Sequence, residues 1–349
     1  MAWHGIEGHD EIVEQFRRAV SRGRLASSFL FVGPEGVGKR AFALRLAQAL
    51  LCNARPEADL DPCETCPACR QVAAGSHPDV HVVAKPAEKS SLPLDLLVGP
   101  RENRGREGLC HEISLRPYSG KRRFAVIDDA DYLYAEGANA LLKTLEEPPP
   151  RSVLVLIGTS PAKQLPTIRS RCQLVRFGRL PEETVARLLR REGMLDDPHK
   201  ADELAPHCEG SLARALELND PDLWSFRGTL FARLAETELD TIGLAKEVTS
   251  LVNAAGKAAP PRRARLRQIV RFATDFYRQL LLAQSGADSG AEETLQQLAH
   301  QALAAEASKG QQALFRLERC LEAAEQIERN ANQTTLIECW LDDLAGSPL

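Results

Sequence analysis

Residues 28–40 read SFLFVGPEGVGKR: an apolar run from Ser28 to Val32, a break at Gly33 and Pro34, then Gly36, Gly38, Lys39 and Arg40. A short apolar run that ends in a glycine turn reads as a buried strand. Residues 39–51 follow with helical composition and period. In this order, strand, glycine-rich loop and helix form a phosphate cradle, because backbone N–H groups at a helix N-terminus point at anionic oxygens. Gly33, Gly36 and Gly38 allow close backbone approach, and Lys39 would reach the outer phosphates. The next position, which in such loops carries a magnesium-binding Ser or Thr, is Arg40. Metal binding should therefore weaken and hydrolysis should suffer.

The surrounding pattern supports an α/β domain. Residues 9–20 carry Ile12, Val13, Phe16, Ala19 and Val20 on one helical stripe. Further strands are expected at 79–83, 124–127, 153–157 and 173–177, with a helix over 135–147 stopped by Pro148, Pro149 and Pro150. Strands alternating with helices predict a parallel sheet covered on both faces. Residues 85–108 are charged, rich in Gly, Pro and Ser and without a period, and read as a surface loop or insertion. After Arg179 the strand signals vanish. Residues 181–218 read as a small helical unit and 222–345 as a larger one, with no internal repeat.

Bulk properties narrow the function classes. A chain of 349 residues is long for one core and predicts two or three domains. A net charge of −4 gives no global basic excess, so any DNA contact must be local or shared with partners. No run of 18 apolar residues predicts a membrane span, and the acidic N-terminus lacks a secretory core. A cytoplasmic location is expected, where nine cysteines would be unusual as disulfides. Four of them, Cys52, Cys63, Cys66 and Cys69, fall within an 18-residue stretch. That spacing fits a closed tetrahedral zinc site with no position left for water, hence a structural role; an iron–sulfur cluster or buried free thiols are the alternatives. The other five cysteines read as small hydrophobes.

Asp128 and Asp129 follow the expected strand at 124–127. In phosphate-loop NTPases an Asp at such a strand end helps to hold magnesium. Asp129 is one methylene shorter than the Glu common at the next position, so its reach to a water near a γ-phosphate is in question.

The phosphate loop, the four-cysteine stretch, GSHPD at 75–79, NALLKTLEEPP at 139–149 and SRC at 170–172 occur in that order. Together they resemble bacterial clamp-loader subunits of the AAA+ class, densely over about residues 5–220 and more thinly beyond. The resemblance implies a RecA-like AAA+ phosphate-loop domain with a parallel sheet over 1–178, with the cysteine insertion at 52–69. It implies a small helical lid over 179–220 and an all-α collar over 221–349 that joins five subunits in a ring. Arg171 matches the arginine that projects into a neighbour's ATP site, where a charged planar fork stabilises phosphate oxygens. The bland reading is that Arg169 and Arg171 only make surface ion pairs. Thr159 lies where AAA+ proteins place a polar phosphate sensor. Arg214, in GSLAR at 210–214, resembles the second sensor arginine. Both are open to being structural remnants. The segment from Arg329 to Asn332, with Leu336, Ile337 and Trp340, resembles the last collar helices, and Lys143 pairs in helical register with Glu147.

The leading expectation is a stator in DNA replication that gives Arg171 to an adjacent ATPase and helps to load the sliding clamp. Its implied partners are tau/gamma and delta subunits, the clamp and, through the assembly, primed DNA, with no membrane. Structural zinc is the expected cofactor. Whether ATP binds is open, and magnesium is not expected to bind well. No polymerase activity of its own is expected, since no second acidic cluster suggests a two-metal site; a polymerase label would belong to the whole holoenzyme. One alternative is the tau/gamma-type ATPase, which predicts a hydroxyl at position 40 and Glu at 129. The other is a zinc-containing DNA-binding protein, opposed by the acidic surroundings Glu57, Asp59, Asp61 and Glu64.

Overall fold

The computed structural model describes residues 3–118, 121–195, 197, 199–287, 293–305 and 308–346. They divide into two compact units, Met1–Glu217 and Leu218–Leu349.

The first unit is built on five strands: β1 (Ser28–Val32), β2 (Val80–Val83), β3 (Arg123–Ile127), β4 (Ser152–Gly158) and β5 (Gln173–Arg176). Their order is β2-β3-β4-β1-β5, and every pairing is parallel. The α/β expectation holds. β1, β3 and β4 are buried along their whole length, as expected of strands covered on both faces. Period-2 alternation divides β1 between two cores. Phe29 and Phe31 join an aromatic cluster with Phe16 and Phe42. Leu30 and Val32 pack on the other side with Ala125, Ile127, Leu154 and Leu156.

The helices of this unit are α1 (Asp10–Ser21), α2 (Lys39–Leu51), α3 (Pro67–Ala73), α4 (Leu94–Val98), α5 (Leu109–Ser114), α6 (Ala135–Glu146) and α7 (Pro166–Arg169). After the sheet come α8 (Glu182–Arg191), α9 (Lys200–Leu204) and α10 (Leu212–Leu218). The reading of 85–108 as a surface loop needs correction. It contains α4, and Leu92 and Leu97 are buried in the same core as Leu109, Ile113 and Leu141. The polar composition hid this anchoring because only two or three leucines face inward.

At the foot of β2 and β3, Asp79 is fully buried and accepts the backbone N–H of Tyr118 at 2.6 Å. Arg123 Nε lies 3.4 Å from Asp79, and its Nη1 donates to Pro78 O at 2.9 Å. This buried pair fixes the start of two adjacent strands, which gives the GSHPD segment a structural role.

The regular elements among the described residues of the second unit are all helices: α11 (Pro221–Ala235), α12 (Thr241–Ala254), α13 (Ala259–Ser285), α14 (Glu293–Ala305), α15 (Ser308–Glu328) and α16 (Gln333–Ala345). Asp220, Asp240 and Asn332 cap α11, α12 and α16 by accepting first-turn N–H groups. The core centres on α13, where Phe272, Phe276 and Tyr277 are buried, and the Phe231 ring stacks on Phe276. Leu336, Ile337 and Trp340 are buried on α16.

Candidate phosphate-loop site and metal centre

The parallel strands deliver their C-terminal ends to one edge, the usual ligand side of an open α/β sheet. There the loop after β1, the acidic turn after β3 and Gly158 and Thr159 at the end of β4 line a cavity of about 400 Å³. Gly36, Gly38, Lys39, Asp128 and Thr159 are among the lining residues, and Gly33 N–H donates to Thr159 O at 3.1 Å beside them. Arg214 is not among the lining residues.

Lys39 is buried, and its Nζ donates to Gly33 O at 2.6 Å and Pro34 O at 2.5 Å, so the ammonium braces its own loop. Burial lowers its pKa, against the opposing pull of Glu35, Asp131, Asp128 and Asp129. Arg40 Nη1 lies 3.4 Å from Asp128 Oδ2. A guanidinium therefore faces the very carboxylate that a magnesium ion would share with a loop hydroxyl. A magnesium ion held by Asp128 would have to displace this guanidinium.

Asp129 sits in the left-handed region at φ +58°. Its carboxyl pKa is raised by burial and by the neighbouring Asp128 charge, while the Lys85 backbone N–H pulls it the other way. The side chain is thus engaged by the β2 end.

The residue that sequence reasoning missed is Asp131. Its Oδ2 accepts Thr159 N–H at 2.8 Å and the Thr159 hydroxyl at 2.5 Å, and its Oδ1 accepts Gln164 Nε2 at 2.8 Å. Thr159 is therefore a donor to an internal carboxylate. A Cβ at Gly158 would stand 2.4 Å from Asp131 Oδ1, so a larger residue there would push this carboxylate aside. The signal was available as the third carboxylate of the DDAD turn.

The GSLAR segment docks on the phosphate loop. Leu212 N–H donates to Gly36 O at 3.0 Å, and a Cβ on Gly36 would meet Ser211 Oγ at 2.4 Å and Ala213 N at 2.5 Å. Arg214 is buried and pairs with Glu209 at 2.9 Å, and Arg179 meets the other oxygen of Glu209 at 3.1 Å.

Arg171 also lies outside this cavity. Its Nη1 donates to Thr167 O at 3.0 Å and Ser170 Oγ at 3.1 Å, and its Nη2 meets Glu146 at 2.7 Å. Cys172 packs against the sheet core, and burial pushes its thiol up to about 12. The SRC segment is thus an anchored cysteine, a turn serine and a half-exposed guanidinium.

The four clustered cysteines come together: their sulfurs all lie within 4.8 Å of one another. Cys63 and Cys69 sulfurs are 3.9 Å apart, close to the roughly 3.8 Å expected between ligands of a tetrahedral ion with bonds of about 2.3 Å. Cys66 N–H points at Cys63 Sγ at 3.3 Å, and Cys69 N–H at Cys66 Sγ at 3.4 Å. The Cys66 N–H and the Thr65 hydrogen bonds bring the Cys63 thiol down to about 6, against partial burial. For Cys66, burial acts upward, but the N–H groups of Cys69 and Asn53 prevail and lower it. Burial raises Cys69. Four convergent sulfurs, two of them buried and two with thiol pKa values lowered by backbone N–H groups, fit a thiophilic metal ion.

Residues 8–181 match the family model described as "DNA polymerase III, delta subunit". The chain is 32% identical over 211 residues to the DNA polymerase III subunit delta' of Bacillus subtilis, covering 60% of this chain and 59% of that protein. It belongs to the delta-prime family. The delta' subunit of Pseudomonas aeruginosa is 37% identical over 151 residues, 43% of each chain. The tau subunit of Escherichia coli is 30% identical over 242 residues, 68% of this chain and 35% of that protein. The chain thus spans between about a third and three fifths of the length of these relatives. A solved DNA polymerase III gamma subunit-related protein from Thermotoga maritima aligns over 95% of this chain and 98% of its own, at 18% identity and a TM-score of 0.43. Among the described residues of this delta-prime-family chain, no helix is long and apolar enough to cross a membrane.

Proposed function

We propose that this chain is the delta-prime-type stator of a DNA polymerase III clamp loader. It holds a ring of tau/gamma and delta subunits and presents Arg171 to a neighbour's ATP site while the sliding clamp is opened and set on primed DNA. The observation that carries this reading is the separation of two half-sites. The phosphate loop has a guanidinium opposite Asp128, whereas the half-exposed Arg171 lies away from that loop. Such a chain is poorly equipped to hydrolyse ATP with magnesium and well equipped to lend a cation. The tau/gamma motor reading lacks its hydroxyl at position 40.

On this reading Lys39 and the glycines are a passive phosphate holder. Thr159 and Arg214 are structural, since each is engaged by a carboxylate, Asp131 and Glu209. Residues 1–178, 179–220 and 221–349 serve as AAA+ domain, lid and collar. Cys52, Cys63, Cys66 and Cys69 hold a structural zinc ion, which supplies folding free energy to a loop without a core of its own.

The test is reconstitution of the assembly with Arg171→Ala. DNA- and clamp-stimulated ATP turnover should fall by about a thousandfold, with subunit assembly unchanged. Unchanged turnover, or brisk magnesium-dependent turnover by the isolated chain that Lys39→Ala abolishes, would overturn the reading.

A further inference from the structure

The first described residues form a strap between two parts of the first unit. Trp3 and Ile6 exchange two backbone hydrogen bonds of 2.9 Å, which closes a two-residue turn on His4 and Gly5 at φ +47° and +88°. Positive φ at both central residues is the signature of a tight hairpin turn in which Asn-Gly is favoured, so a histidine at the first position is unusual there.

The turn aims the His4 ring at the cysteine loop. His4 Nε2 meets Asp61 Oδ1, and Nδ1 lies 3.2 Å from Glu64 Oε1. Trp3 Nε1 donates to Leu60 O at 3.0 Å. Asp61 and Glu64 flank Cys63; they also receive Arg55 and Arg45 respectively. The other end of the strap holds α8. Glu7, with its side chain only 11% exposed, accepts Arg187 at 2.8 and 2.6 Å on Oε2 and Arg191 at 2.6 Å on Oε1. Arg191 Nη2 also donates to Gly5 O at 2.9 Å. Arg187 and Arg191 are one helical turn apart, so one carboxylate spans both. Among the described residues, no hydrogen bond or ion pair runs directly from residues 52–69 to α8. Strap and helix together wall a cavity of about 260 Å³, lined among others by Gly5, Glu7, Leu188 and Arg191.

We infer that His4 is a positioning residue, through which the cysteine loop sets helix α8 by way of Glu7. An ordered loop holds the strap; the strap holds both arginines; a loosened loop releases the helix and widens the cavity it walls. The part of this inference that concerns metal rests on the zinc reading above; the part that concerns His4 does not.

The test is hydrogen exchange of the full chain, read on peptides from α8. The variant His4→Asn keeps a residue suited to the left-handed turn while shortening the reach to Asp61 and Glu64. It should raise α8 exchange by about fivefold or more, as should Glu7→Gln, whereas Arg17→Ala on α1 should leave α8 unchanged. Stripping the metal with a chelator should raise α8 exchange in the parent and add nothing in His4→Asn, since linked sites are non-additive. Unchanged α8 protection in His4→Asn overturns the inference, as does a chelator effect of equal size in parent and variant. If no metal co-purifies, the zinc reading fails and the His4→Asn comparison still decides.

Discussion

Arg171 Nη2 lies 2.7 Å from Glu146 Oε1, so the last turn of α6 holds the guanidinium that precedes β5. Two segments that the sequence placed far apart, NALLKTLEEPP and SRC, thus meet in one ion pair. With side chains 33% and 50% exposed, the pair is worth about 0–1 kcal/mol and can be given up for a better anion.

That weakness predicts a split between two substitutions. Glu146→Gln should change chain stability by less than about 1 kcal/mol and leave assembly-level ATP turnover within about threefold of the parent. Arg171→Lys keeps the charge but loses the planar fork now shared among Thr167, Ser170 and Glu146. It should recover less than about a tenth of parental turnover. Full activity of the Lys variant would mean that a point charge suffices and that the fork is not used.

Arg40 makes a second prediction. Its guanidinium faces Asp128 at 3.4 Å, where a loop hydroxyl and an Asp would share magnesium. Arg40→Ser removes the competing cation and restores the hydroxyl. Equilibrium ATP binding by the purified variant should gain a magnesium dependence of about tenfold or more that the parent lacks. Turnover should stay slow, because Asp129 is engaged by the Lys85 backbone and Thr159 by Asp131. Binding that is insensitive to magnesium in both proteins would show that Arg40 is not what excludes the ion.

The sheet was legible because β1, β3 and β4 are buried on both faces and so read as unbroken apolar runs flanked by glycine, proline or acid. The loop glycines, Lys39 and the four cysteines were legible because their chemistry demands fixed local spacing. What escaped were partners joined by folding. Asp131 stands out as the third acid of the 128–131 turn, but nothing in the sequence pairs it with Thr159, and nothing near Arg171 announces Glu146. Arg214, at the motif position of a sensor, pairs with Glu209, a partner that the motif does not announce. The 85–108 segment escaped for another reason: α4 is five residues long, too short to display a period.

That short helix carries the third prediction. Leu97 is fully buried beside Leu109, Ile113 and Leu141, although its segment is largely polar. Leu97→Ala should cost about 2–5 kcal/mol in denaturant unfolding of the first unit. Leu96→Ala, one residue away and 36% exposed, should cost well under 1 kcal/mol. Equal, small effects at both positions would return the segment to a surface loop.

Acid sensitivity follows from three histidines of the first unit. Burial lowers the pKa of His9, of His77 and of His81 from the ordinary 6.5. For His77 and His81 the contacts agree with neutral rings, since a ring nitrogen accepts a hydrogen bond in each. His9 Nε2 donates to Val37 O at 2.7 Å, His77 Nδ1 accepts Asp79 N–H at 3.1 Å, and His81 Nε2 accepts Arg123 Nη1 at 2.9 Å. Because each folded pKa lies below the unfolded one, the unfolded chain binds the extra proton first as pH falls. Stability is therefore complete above pH 6.5 and declines as pH drops below it, by at most about 1.4 kcal/mol per pH unit for each histidine until its folded pKa is reached. Between pH 7 and 5 the melting temperature should fall, and His9→Gln, which can still donate to Val37 O, should flatten that fall. A slope that is the same with Gln at position 9 would show that the His9 ring accepts its proton in the folded chain without penalty.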